Sequence, residues 1–185
     1  VGKAVHTSVL FALLGGAAVA LLGELIAGPV LGTLNVPEDV FPYALLYLRI
    51  YLAGMPVILL YNFEAAIFRS VGDTKIPLIA LASSGVLNVL LNLFFVAVLH
   101  RTVDGVAIAT VISNAVSSLL LYRRLRRADG AIHLEPKKLR VDGGILKRIL
   151  RIGLPAGIQS AVFAVSNIVI QSAINSLGTV VMAAS

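Results

Sequence analysis

The chain has 185 residues, of which 58% are hydrophobic and 13% are charged, and its mean hydropathy is +0.96. Soluble domains carry roughly 25% charged residues, so this composition excludes a soluble globular protein and indicates an integral membrane protein. The net charge of +6 does not indicate a nucleic-acid-binding protein, because the positive residues flank apolar runs without interleaved aromatic residues. The sequence has no cysteine, and its three histidines fall in separate segments, so no metal site is expected.

Five apolar runs are long enough to cross a bilayer as helices. A hydrocarbon core of about 30 Å needs roughly 20 residues in a helix. The runs occupy residues 4–34, 40–63, 76–99, 103–122 and 152–174. The predicted fold class is therefore all-α, a polytopic transmembrane helix bundle. The chain opens without Met and ends inside an apolar run, so we expect it to be part of a longer protein.

The second run carries a predicted kink and one charged residue. Pro56, in the tripeptide Gly54-Met55-Pro56, cannot donate to the carbonyl group four residues earlier, so the helix is expected to bend there. Residues 37–39 resemble a helix start, with a proline in the first turn. Arg49 either snorkels outward along its own stem or lines a polar cavity, and the sequence leaves both open. Glu24, in the first run, is expected to reach the interface, with a buried ion site as the alternative.

The loop after the second run is predicted to be a tight hairpin. The loop is expected to run from Glu64 to Lys75 and to contain Arg69. Gly72 and Asp73 favour a turn within it, and Pro77 fits the first turn of the next helix. The stretch lacks the glycine spacing of a phosphate-binding loop.

Amide side chains are the main candidates for lining a polar path. Asn88 and Asn92 are four residues apart and share one helix face, where hydrogen bonding between helices is favoured over cavity lining. Gln159, Asn167 and Gln171, with two serines, fall within an arc of about 140° on the fifth helix. Here cavity lining is favoured, because small hydroxyl groups would suffice for helix packing.

A basic linker, residues 123–151, separates the fourth run from the fifth. It holds ten of the fifteen Lys and Arg residues, and short loops of this kind stay on the cytoplasmic side. With the linker inside, the loops alternate so that thirteen basic residues lie inside and one lies outside. Residues 145–152 have the spacing of an amphipathic surface helix, and Gly153 and Pro155 are predicted to turn the chain into the fifth span.

Several of these stretches together resemble the multidrug and toxic compound extrusion (MATE) family. The matching stretches are YLRI at 47–50 leading to GMP at 54–56, FRSVGDTK at 68–75 closed by Pro77, Asn88 with Asn92, GVAIATVIS at 105–113, and GLP at 153–155 after the basic linker. Their order and spacing are specific, and the resemblance covers nearly the whole chain. It is closest to the bacterial DinF-like branch.

The resemblance implies a fold of twelve helices in two lobes, of which this chain resembles helices three to seven and the start of eight. Residues 1–122 would then be the last four helices of the first lobe, 123–151 the cytoplasmic linker with its amphipathic helix, and 152–185 the start of the second lobe. It also implies a multi-pass protein of the prokaryotic cytoplasmic membrane that exports organic cations by alternating access, coupled to Na⁺ or H⁺. The expected partners are those organic cations, Na⁺ or H⁺, and membrane lipid. Nucleic acid is not expected, and no cofactor is expected beyond the coupling ion.

The family commonly carries its coupling carboxylate in the first helix, which this chain does not match. Some branches have an acid in the seventh helix, but residues 153–185 contain no Asp or Glu. The candidates for the substrate or ion path are Gln159, Asn167, Gln171, Asn88, Asn92 and Arg49. The candidate hinge or turn residues are Gly54, Pro56, Arg69, Gly72, Asp73, Pro77, Gly153 and Pro155.

Two other functions remain as alternatives. A lipid-linked oligosaccharide flippase of the same superfamily would hold more Arg residues in its cleft than the single Arg49 found within a span. A membrane scaffold protein would use its helices only for packing. An enzyme is not expected, since no nucleophile with a base, metal set or carboxylate pair has workable spacing.

Overall fold

The computed structural model describes residues 2–33, 38–101 and 103–176, without the side chains of residues 168 and 171–176. All of the regular elements in these ranges are helices, which confirms the all-α class. The α-helices are α1 (Gly2–Thr33), α2 (Phe41–Ala53), α3 (Met55–Ser70), α4 (Lys75–Leu93), α5 (Val103–Arg127) and α6 (Gly143–Ser176). A π-helical turn, Phe94–Val98, extends α4, and two 3₁₀ turns, Gly130–Ile132 and Pro136–Lys138, follow α5.

The described helices fit the five predicted spans by length and composition. Four are long and apolar enough to cross a membrane: α1, α4 with its extension, α5 and α6. The pair α2 and α3, bent by 48° at the break, meets the same test when its two helices are taken together. The protein is therefore a multi-pass membrane protein.

The chain divides into two compact units, Val1–Asp142 and Gly143–Ser185. In the first unit, α1, α3, α4 and α5 pack together at one end around a buried apolar cluster. Its members are Val5, Val9, Ala65, Ile67, Phe68, Ala80, Leu121, Leu125 and Leu134. We call this region the linker end and define it as residues 2–9, 64–80 and 121–142. It brings the three stretches predicted to be basic inside loops to one end of the bundle.

The expected kink lies at Gly54, between α2 and α3, and it is enclosed by two neighbouring helices. A Cβ atom at Gly54 would lie 2.5 Å from a methyl carbon of Val111 on α5. On the opposite side, Gly16 of α1 approaches so closely that a Cβ atom there would overlap the backbone of Pro56. The bend therefore forms where small residues let the broken helix pack against both α1 and α5.

The hairpin between α3 and α4 also has the predicted form. Gly72 has a φ of +84°, a left-handed conformation that glycine adopts without strain. The carboxylate Oδ1 of Asp73 accepts hydrogen bonds from the backbone N–H groups of Lys75 and Ile76, both 3.1 Å long. These bonds cap the first turn of α4, in which Pro77 is buried.

Three boundary predictions were wrong. The helix predicted to start at residues 37–39 begins at Phe41, and Pro42 occupies its first turn, while Pro37 lies outside the described residues. Glu64 was assigned to the inside loop, but α3 continues to Ser70, so the loop is only four residues long.

The third error concerns α6, which runs unbroken through Gly153 and Pro155. The amphipathic segment and the fifth span are therefore one helix, with no turn between them. Pro155 removes a single backbone hydrogen bond, which membrane helices tolerate because their other backbone bonds persist.

The packing at the kink predicts opposite effects for two adjacent glycines. Gly16→Ala should destabilise the protein by about 1–3 kcal/mol, because the added methyl group meets the backbone of Pro56. Gly15→Ala places its methyl group where no described atom lies within 4 Å, and should stabilise the helix by roughly 0.5–1 kcal/mol. Thermal unfolding of the full-length protein in detergent measures both, and equal shifts would contradict the close approach.

Candidate functional site

A line of polar side chains joins α4 to α5. We call it the polar seam and define it as Ser84, Asn88 and Asn92 of α4 with Thr110, Ser113 and Ser117 of α5. The three α4 residues are spaced four apart, and the α5 residues three and four apart, so each set shares one helix face. In lipid these faces would lack partners, so the two helices are expected to pair along them.

The half of the seam nearer the linker end is a tight helix contact. Ser117 donates its hydroxyl hydrogen to the backbone oxygen of Ala80 (2.9 Å), and Ser84 donates to that of Ser113 (3.0 Å). All three serines are buried. Small hydroxyl side chains allow two backbones to approach closely while their own polar atoms remain hydrogen-bonded.

The other half of the seam contains the two asparagines. The Asn88 amide nitrogen donates to the hydroxyl oxygens of Ser113 (3.1 Å) and Thr110 (3.5 Å). Both hydroxyl groups donate their own hydrogens to carbonyl groups of α5, to Thr110 and Val106 respectively. Asn92 then donates its amide hydrogen to Asn88 Oδ1 at 2.9 Å. The hydrogen bonding between helices that was predicted for Asn88 is therefore present.

The chain of hydrogen bonds ends on an oxygen without a donor. Asn92 Oδ1 is buried and accepts no hydrogen bond from the residues that the structure describes. Burying an unpaired polar atom costs about 1–3 kcal/mol, so native structures seldom retain one without a reason. Amide and hydroxyl oxygens are ligands for hard cations, and Asn92 is joined to Asn88, which offers a further amide oxygen.

The seam itself carries no formal charge. It contains no acidic side chain, and the described residues include no group of three or more His, Cys, Asp or Glu side chains that could hold a metal ion. Its oxygens can therefore orient or partly coordinate a cation but cannot neutralise one. A carboxylate that completes such a site must come from outside the seam.

Arg49 is paired rather than isolated. Its Nε atom lies 3.5 Å from Glu24 Oε2, which links α2 to α1, and the two side chains are 53% and 36% exposed. Each of these two charged residues, which the sequence places within the first two spans, therefore has the other as its partner.

The sequence interpretation missed Glu64. This α3 residue is fully buried, and Ser118 of α5 donates a hydrogen bond of 2.9 Å to its Oε2 atom, whereas Oε1 has no hydrogen-bond partner among the described residues. Its spacing from Leu60 and Phe68, four residues on either side, places it on the apolar face of a helix and could have revealed its burial. An ionisable residue inside a membrane bundle is a functional candidate.

The remaining candidates lie on α6, in the second unit. Gln159 and Asn167 are exposed there, and Gln171 belongs to the same helix with its side chain outside the described set. The structure thus brings Asn88 and Asn92 together in the first unit. Cavity lining by the three α6 amides stays a prediction.

The chain matches a family model described as MatE over residues 1–94. It is 32% identical over 164 residues to the probable multidrug resistance protein YpnP of Bacillus subtilis, covering 88% of this chain and 35% of that protein. It is 30% identical over 184 residues to the probable multidrug resistance protein YoeA of the same organism, with coverages of 95% and 39%. The chain therefore spans well under half the length of these curated relatives.

A solved structure shows the same arrangement of helices. A transporter of the MOP superfamily from Pyrococcus furiosus superposes with a TM-score of 0.84 at 26% identity, covering 92% of this chain and 38% of that one. The helices described above thus have the fold of a segment of that transporter.

The buried pair of Glu64 and Ser118 can be tested by stability. Ser118→Ala leaves the carboxyl group without its donor and should lower the free energy of unfolding by about 1–3 kcal/mol. Adding Glu64→Met should recover most of that loss, because both polar partners are then replaced by apolar groups. Ser166→Ala is the control, since Ser166 is exposed and bonds only within its own helix. If Ser118→Ala unfolds like the wild type in detergent, the bond does not stabilise the bundle.

Proposed function

The chain belongs to the MATE family, and on that premise we propose that it is a segment of a cation-coupled multidrug efflux antiporter. Such a protein exports organic cations by alternating access of a central cleft while a coupling cation moves inward. The bacterial origin of the relatives YpnP and YoeA and the basic linker support the prokaryotic cytoplasmic membrane as its location, with the linker inside.

The unpaired Asn92 oxygen is the observation that carries this proposal. A bundle that served only for packing would bring a donor to a buried carbonyl oxygen, whereas a cation site requires an oxygen that is free to coordinate. The seam supports Na⁺ as the coupling ion, because amide and hydroxyl groups coordinate cations but do not carry protons at ordinary pH. Coupling to H⁺ would instead require a carboxyl group from outside the seam.

The surroundings of the seam suggest how cation binding reaches the rest of the bundle. The broken span bends at Gly54, directly against Val111, which lies one residue from Thr110 of the seam. A small movement of α5 on cation binding would therefore press on the joint between α2 and α3. Bistable joints of this kind are how small displacements at a site become changes in helix packing.

Organic cations are the substrates we propose, with the α6 amides lining their path. Gln159, Asn167 and Gln171 can hydrogen-bond a polar drug or orient its charged group through their oxygens. The names of the relatives YpnP and YoeA, as probable multidrug resistance proteins, support drugs as the substrates.

The two alternatives fit the structure less well. Two Arg residues lie within described spans outside the basic linker. Arg49 is already paired with Glu24, and Arg69 lies in the last turn of α3 at the linker end, so they offer little charge for an oligosaccharide diphosphate, as a flippase would need. A scaffold function leaves the unpaired Asn92 oxygen unexplained. Movement of dye across proteoliposome membranes, driven by an ion gradient, separates transport from both.

Replacing both asparagines of the seam tests the proposed ion site. Asn88→Leu with Asn92→Leu should lower ion-driven efflux by about tenfold or more, since each lost oxygen ligand is worth on the order of 1–3 kcal/mol. Asn62→Leu is the matched control, because Asn62 is an exposed amide that bonds only to Ile58 of its own helix. Efflux is measured in proteoliposomes with Na⁺ and H⁺ gradients applied separately. Unchanged Na⁺-driven efflux in the double variant would exclude the seam as the coupling site.

The substrate path on α6 has its own test. Asn167→Leu with Gln171→Leu in the full-length protein should reduce drug resistance without loss of membrane expression, because the path loses two of its three amides. Resistance of cells carrying each variant, at matched protein levels, is the measurement. If resistance is unchanged, these residues lie outside the path.

A further inference from the structure

The first unit holds a basic cavity at its linker end, between α1 and the stretch that follows α5. Its volume is about 590 Å³, within the range of small-molecule sites. It is lined by Gly2, Lys3, His6, Lys137, Lys138, Arg140, Val141 and Asp142. Four cationic side chains and one carboxylate therefore face a single concave surface.

Hydrogen bonds fix the stretch after α5 against α1 and so give the cavity a defined shape. A loop whose only role was to carry positive charge would not need these bonds. Thr7 of α1 is fully buried, and its hydroxyl group donates to the Arg140 backbone oxygen (3.2 Å) and accepts from the Asp142 backbone N–H (3.1 Å). One residue earlier, His6 Nε2 accepts from the Glu135 backbone N–H at 3.1 Å, while His6 Nδ1 donates to the Gly2 oxygen at 2.6 Å. Residues 135–142 are thus fastened along the first two turns of α1.

The wall holds more positive than negative charge, with four Lys and Arg residues against the carboxylate of Asp142. Lys138 pairs with Glu135 at 2.9 Å, and this hydrogen bond lowers the pKa of the Glu135 carboxyl group, which keeps it ionised. The ion pairs that the structure shows among its described residues do not engage Lys3, Lys137 or Arg140. Three Lys and Arg residues outside those ion pairs therefore line one cavity.

We propose that this cavity binds the phosphate group of an anionic lipid headgroup. Lys and Arg side chains recognise phosphate through charge-assisted hydrogen bonds, and basic pockets beside membrane helices bind anionic headgroups. The lipid source is favoured because α1 passes from the cavity wall directly into a membrane span. Exposed Val141 also adds an apolar edge beside the cations. This inference is independent of the transported substrate and of the coupling ion.

The test compares two variants that remove the same charge from the same linker. Lys137→Gln with Arg140→Gln changes the cavity and leaves the backbone hydrogen bonds to Thr7 in place. Arg123→Gln with Arg127→Gln changes an equally exposed basic surface at the end of α5, outside this cavity. Binding of the full-length protein to phosphatidylglycerol and to phosphatidylcholine is measured by lipid titration in mixed micelles at constant ionic strength.

Wild type and the Arg123/Arg127 variant should both prefer phosphatidylglycerol, and the Lys137/Arg140 variant should bind it about 10- to 30-fold more weakly. Equal losses in the two variants would show diffuse attraction and overturn the proposal, as would equal affinity of wild type for both lipids. A separate titration uses inorganic phosphate without lipid, against chloride at matched ionic strength. Cavity-dependent binding of phosphate alone, without a preference for phosphatidylglycerol, would overturn the assignment to lipid. Transport activity does not enter the readout, so failure here leaves the proposed function standing.

Discussion

The seam between α4 and α5 follows from one constraint, that a polar group in a bilayer must find its partner inside the protein. Ser84 and Ser117 meet this constraint with oxygens of the facing backbone, and Ser113 meets it with a carbonyl group of its own helix. Asn88 meets it with two hydroxyl groups. Asn92 meets it only in part, since its nitrogen donates to Asn88 while its oxygen has no donor among the described residues. The same rule that aligns the two helices therefore leaves one oxygen of the seam unsatisfied among the described residues.

The two ends of the first unit differ in chemistry. At the linker end, apolar residues of four helices are buried around Phe68 and Leu125, and the basic stretch folds back onto α1. Towards the other end, α1 and α2 meet through the partly exposed pair of Glu24 and Arg49. The bend at Gly54 lies between these regions, packed against Gly16 and Val111. A joint placed there can transmit a change at the seam while the packed linker end holds the helices together.

The sequence predicted the spans, the kink and the hairpin well, because each rests on a local rule: run length, the missing N–H group of Pro56, and the turn preference of Gly72 with Asp73. The sequence-based predictions failed for residues whose environment depends on contacts between helices. Glu64 was assigned to the inside loop, yet it is buried in α3, where Ser118, 54 positions away in sequence, donates a hydrogen bond to it. Pro155 was expected to end a helix, but the apolar pattern continues across it. The pairing of Arg49 with Glu24, and the free oxygen of Asn92, depend on how helices meet, which periodicity does not reveal.

The central claim is that Asn92 leaves an oxygen unpaired because a cation occupies that position during transport. Its most direct test is the thermal unfolding midpoint of the full-length protein in detergent, titrated with NaCl against choline chloride at constant ionic strength. A ligand that binds only the folded state raises this midpoint in a saturable way. We expect such a rise for the wild type and its loss in Asn92→Leu. A wild-type midpoint that does not respond to Na⁺, or an equal response in the variant, would contradict the claim.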